Sequence, residues 1–141
     1  MNCRASSFIL TEKHPNSLKP RKKPFHTLSA LIVKEEDGIL AMGLSGGHYR
    51  PQLHAQIFEN IYKFGMNPQE ALEHPRFVWN VGTNQIRIEE GYDAFRISGY
   101  RVERQKYPGE MGVAAAAKLY SNGIKAAFTD IRGDGLSLGQ I

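Results

Sequence analysis

Leu28-Ser29-Ala30-Leu31-Ile32-Val33-Lys34 is an apolar run with β-branched residues at its centre; Glu36-Asp37-Gly38 is a turn signal; Ile39-Leu40-Ala41-Met42-Gly43-Leu44 is apolar again. Two such runs around a tight polar turn predict a hairpin of two well-buried strands. Ser45-Gly46-Gly47 then breaks the second strand, and Pro51 suits the first turn of a helix, where its missing N–H would be unpaired in any case. Leu53, Ile57, Ile61 and Phe64 recur at helical spacing, and the stripe closes at Gly65. Asn67-Pro68 reads as the N-cap and first-turn proline of a short second helix through Glu73, stopped by Pro75.

Further along, residues 113–120 and 124–129 flank Ser121-Asn122-Gly123 and predict a second hairpin. Alanine at positions 114–117 favours helix by propensity, but a run that ends at an Asn-Gly turn fits a strand better. Short strands are expected over 77–79, 85–89 and 100–105, a short helix over 92–98, and loop over 130–141. Before the first hairpin, residues 1–24 hold Pro15, Pro20 and Pro24 among polar and basic residues without any sustained period, which predicts an irregular or extended basic arm. Residues 25–141 then form one domain of α+β class, with helices covering one face of a mainly antiparallel sheet.

With 41% hydrophobic and 23% charged residues, the 141-residue chain has the composition of one globular unit. The net charge of +4 is concentrated in residues 1–34, where Arg4, Lys13, Lys19, Arg21, Lys22, Lys23 and Lys34 face only Glu12. No stacking aromatics, recognition-helix pattern or zinc spacing accompany that arm, so nucleic acid is not expected as a partner. No apolar run approaches the ~20 residues of a membrane span, and the N-terminus lacks the long apolar centre of a signal peptide, so the expectation is a cytoplasmic protein with no membrane partner. Cys3 is the single cysteine, and His48, His54 and His74 lack the spacing of a metal site, so neither metal nor other cofactor is expected.

Several stretches, taken in order, resemble one family. His14-Pro15-Asn16, the run Arg21-Lys22-Lys23-Pro24-Phe25-His26-Thr27, and Gly43-Leu44-Ser45-Gly46-Gly47 with Pro51-Gln52 are similar to elements of the γ-glutamyltranspeptidase-like N-terminal-nucleophile hydrolases. So are Phe64-Gly65-Met66-Asn67-Pro68-Gln69-Glu70-Ala71, Pro75-Arg76-Phe77, and Asp130-Ile131-Arg132 with Asp134-Gly135, which has isoleucine where proline is usual. The resemblance covers nearly the whole chain and places it in the C-terminal part of the small subunit, acylase-like branch. It implies part of an αββα fold and an amidohydrolase that transfers or hydrolyses γ-glutamyl or related acyl groups. The nucleophile would be a threonine exposed by autocatalytic cleavage, whose own α-amino group is its base. That threonine belongs before the segment matched by Asn2-Cys3-Arg4, so this chain alone is expected to be inactive.

The resemblance also assigns roles. Gly46 and Gly47 correspond to an oxyanion hole, His26 and Thr27 to the place of two serines that hold the substrate α-carboxylate, and Arg4 to an arginine of the acylase-like branch. Ser7 falls where γ-glutamyl enzymes carry an aspartate for the substrate ammonium, a charge that serine cannot neutralise. Read without the family, Gly46-Gly47 is a strand-to-helix turn, His26 a packed or surface residue, and Asp130, Arg132 and Asp134 ties for the final loop. The expected partners are the large subunit and the upstream half of the small subunit. An open sheet edge and uncovered apolar faces also predict a homo-oligomer. The competing reading is a non-catalytic structural or binding module that self-associates.

Overall fold

The computed structural model describes residues 3–92 and 98–139. Its centre is a four-stranded antiparallel sheet in the order β1-β2-β6-β7, made from β1 (Ala30–Glu35), β2 (Gly38–Ser45), β6 (Val113–Tyr120) and β7 (Lys125–Thr129). Both expected hairpins are present, and β2 pairs with β6 so that Ala41 faces Ala117 and Met42 faces Ala116. The alanine run is therefore a central strand, in which small side chains let the neighbours pack closely.

Two helices, α1 (Arg50–Tyr62) and α2 (Pro68–Glu73), cover one face of this sheet. Leu40, Met42 and Leu44 of β2 alternate toward that face and bury against Leu53 and Ile57 of α1 and Ala71 and Leu72 of α2. The opposite face carries Ile32, Ala41, Ala117 and Ala127 in one register row, and Lys34, Ile39, Leu119 and Lys125 in the next. Ile32 is 73% exposed, Ile39 45% and Leu119 48%. The first hairpin is thus buried on one side only, since among the described residues no layer covers the other. Phe64 departs from its expected place in the buried stripe and is 62% exposed, because α1 ends at Tyr62 and helical spacing no longer governs residues beyond it.

Asn67 caps α2 in a reciprocal box with Glu70, as its sequence position predicts. A second sheet has the order β3-β4-β5, from β3 (Phe77–Trp79), β4 (Gln85–Glu89) and β5 (Arg101–Gln105), with β4 and β5 parallel. The helix expected over 92–98 falls largely on residues 93–97, outside those described. Residues 3–22 hold a 3-10 turn at Cys3–Ser7 and fold back on themselves through a bridge between Ile9 and Ser17, with Ser17 buried.

Free backbone edges are closed by glutamines. Gln52 donates to the Trp79 carbonyl and accepts from its N–H, and Gln56 one turn later does the same for Phe77. Helix α1 thereby acts as a mock strand along β3. Gln69 of α2 treats Thr129 of β7 identically.

Candidate functional site

The end of β2 is where the expected residues meet. Gly46 and Gly112 pass so closely that a Cβ on Gly112 would stand 2.4 Å from the Ser45 carbonyl oxygen, and one on Gly46 3.4 Å from the Gly112 Cα. Gly47 follows at φ 56°, in the left-handed region that glycine tolerates without strain. The chain then makes a 3-10 turn over Gly47–Tyr49 before entering α1. Tyr49 N–H donates to the Gly46 carbonyl at 3.1 Å. Across a trans peptide the C=O and N–H are antiparallel, so this bond aims the Gly47 N–H away from the helix. Among the described residues, neither the Gly46 nor the Gly47 N–H has an acceptor. Two unpaired amides on a tight turn are what a developing oxyanion requires.

A cleft of about 500 Å3 opens over this turn, with Arg4, Thr27, Gly46, Gly47 and Arg50 among its walls and, among the described residues, no acidic side chain lining it. A neighbouring hollow of about 230 Å3 brings His26, Thr27 and His48 against the same Gly47. The structure therefore gathers five of the six expected residues. Ser7 is not among the wall residues of either hollow. Its hydroxyl donates to the Arg4 carbonyl at 2.8 Å, which makes it a support of the turn that carries Arg4. One turn into α1, His54 packs beside the Ser29 backbone; burial pushes its pKa down, the Ser29 contact opposes that, and the Arg50 charge adds to it.

Below the glycine turn lies a buried ionic network. Arg76, Glu89 and Asp130 are each at most 2% exposed, and the Arg132 side chain is 1% exposed. Arg76 meets Asp130 at 2.6 Å, and Arg132 joins Asp130 at 3.0 Å to Glu89. The same carboxylate of Asp130 accepts the Ala114 N–H at 3.0 Å, and Arg76 donates to the carbonyls of Met111 and Gly112. Two cations and two anions neutralise each other, and backbone takes most of their remaining donors and acceptors, the buried Arg76 Nε standing without a partner among the described residues. This network explains why Pro-Arg-Phe and Asp-Ile-Arg occur together: they clamp the backbone that presses on Gly46. Asp134, expected to tie the same loop, stands exposed.

Sequence reading missed Arg50. Its guanidinium donates from Nε to the Gly47 carbonyl at 2.7 Å and from Nη1 to the Thr27 carbonyl, 23 residues away. Both acceptors are backbone atoms, so no residue pattern could announce them. Among the described residues, no three His, Cys, Asp or Glu side chains gather as metal ligands would, and no helix is long and apolar enough to cross a membrane.

Comparison with known proteins gives a consistent set of likenesses. The gamma-glutamyltranspeptidase family profile matches residues 2–139. The glutathione hydrolase-like YwrD proenzyme of Bacillus subtilis is 35% identical over 96% of this chain and 28% of its own length. The oxamate amidohydrolase proenzyme of Klebsiella pneumoniae is 29% identical over the same shares, 96% and 28%. The chain thus spans a little over a quarter of the length of these two relatives. In three dimensions it superposes on the gamma-glutamyltranspeptidase from Pseudomonas nitroreducens complexed with L-DON with a TM-score of 0.68, at 21% identity over 92% of this chain and 70% of that one.

Proposed function

The chain belongs to the gamma-glutamyltranspeptidase family, and on that premise we propose that it forms the oxyanion-hole and substrate-wall portion of a γ-glutamyltransferase-like amidohydrolase. The observation that carries this reading is the pair of unpaired amides at Gly46 and Gly47, set in a cleft walled by Thr27, Arg4 and Arg50. A threonine supplied by residues outside these 141 attacks the amide carbonyl through its hydroxyl oxygen, and its α-amino group takes the hydroxyl proton and passes it to the departing amine. The carbonyl oxygen gains negative charge as the C–O bond forms, and the two glycine amides stabilise it.

The Arg50 guanidinium, in a cleft wall with no acidic residue among those described, favours an acyl group that carries its own carboxylate, γ-glutamyl or a related one. Ser7 offers no charge for an ammonium, which favours acyl groups that lack one. The uncovered face of the central sheet suits a partner layer, supplied by the upstream half of the small subunit and the large subunit. In the isolated chain a second copy takes that place.

The test is reconstitution. The 141-residue chain is expected to give no turnover of a γ-glutamyl anilide or of oxamate above a heat-treated control, and to become active when co-expressed with residues that carry the family threonine. In that complex Gly46→Pro, which removes one amide donor, lowers kcat by a factor on the order of 10² to 10³. Turnover by the chain alone, or an unchanged kcat in a folded Gly46→Pro complex, overturns the reading.

A further inference from the structure

Arg50 is the first residue of α1, and its backbone is helical for reasons unrelated to its side chain, since Pro51 and the preceding 3-10 turn already start the helix. Its side chain turns back instead of reaching into solvent. Nε reaches the Gly47 carbonyl, three residues earlier, and Nη1 reaches Thr27 on the segment that leads into β1. That segment is otherwise thinly held: between residues 24–29 and the body of the domain, the only other backbone bond among the described residues runs from Leu44 N–H to the Ser29 carbonyl, at 3.4 Å. No carboxylate pairs with Arg50 among the described residues. Its charge is therefore left unneutralised at the rim of the cleft.

We propose that Arg50 is a positioning residue that locks the Gly46–Gly47 turn and the Thr27 wall into one unit. The claim rests on the reading of that turn as an oxyanion hole for its functional meaning, though not for its physical content. The Gly46 carbonyl held by Tyr49 N–H fixes the peptide plane that carries the Gly47 N–H, and the Gly47 carbonyl held by Arg50 fixes the next plane, so the Gly47 amide is held from both sides of its residue. The planar guanidinium satisfies two carbonyls in different segments at once; a lysine ammonium is a compact charge on a flexible stem and does not reproduce that fork. The wall that receives the acyl group and the turn that receives the oxyanion thus keep a constant separation, which is the geometric condition for rate enhancement by orientation.

The test uses amide hydrogen exchange in the full chain. Wild type, Arg50→Lys and Arg50→Ala are compared at the Leu44 and Tyr49 amides, which report the two held segments, with the Met66 and Ser121 amides as remote references. The proposal expects roughly tenfold or faster exchange at Leu44 and Tyr49 in both variants, no change at the references, and partial recovery of Arg50→Ala on addition of methylguanidinium. Unchanged exchange at Leu44 and Tyr49 in Arg50→Lys overturns it even if Arg50→Ala does not fold. In the reconstituted complex, kcat is expected to fall about tenfold in Arg50→Lys with KM nearly constant. If exchange responds while kcat does not, the clamp stands and the oxyanion reading of the turn fails; if exchange does not respond, the clamp fails whatever kcat does.

Discussion

Asp130 shows how one side chain sets the geometry of a turn it does not belong to. It accepts from Arg76, Arg132 and the Ala114 N–H while 2% exposed, so its charge is fully committed inside the protein. Removing one member of a buried pair leaves the other charged and unpartnered, a cost of about 3–5 kcal/mol. Asp130→Ala is therefore expected to lower unfolding stability by that order in urea titration, while the Arg76→Met/Asp130→Leu double variant loses less than Asp130→Ala alone, because no stranded guanidinium remains. Equal losses in the two would show that packing, not charge, holds this centre together. The motif residues of this network were visible in the chain, but their burial was not, since nothing in Pro-Arg-Phe or Asp-Ile-Arg says that two arginines share two carboxylates away from water.

At the level of elements, α1 serves three neighbours with three faces. Leu53 and Ile57 bury against β2, Gln52 and Gln56 close the edge of β3, and Arg50 holds the segment before β1. Only the first of these follows from periodicity. Gln56 is the most informative position of the second set, because it completes both the donor and the acceptor of Phe77 at 3.0 and 2.8 Å. Gln56→Ala leaves both groups without their partner and is expected to cost about 1–3 kcal/mol. Gln56→Glu is expected to cost at least as much, since its second oxygen faces the Phe77 carbonyl. Chemical denaturation of both variants checks this; a Gln56→Glu protein as stable as wild type would mean that solvent already satisfies the β3 edge.

For the whole molecule, the decisive feature is the sheet face opposite the helices, with Ile32, Ile39 and Leu119 exposed among alanines and glycine. An apolar sheet face of this kind is normally an interface, and the outer edge of β1 adds unpaired backbone beside it. The isolated chain is expected to sediment as a dimer or larger species at micromolar concentration, and Ile32→Lys to shift it toward monomer. A concentration-independent mass of 15.8 kDa for the wild type would sink that expectation. By itself the sequence determined the two hairpins, the α2 cap, the α+β class and the glycine turn, because each depends on local dihedral preference or on a short periodic pattern. Only the tertiary structure decided that β2 lies beside β6, that the ionic network sits beneath Gly46, and that Arg50 joins Thr27 to Gly47. Those depend on backbone groups and faces far apart in the chain, whose meeting is fixed by packing rather than by any local signal.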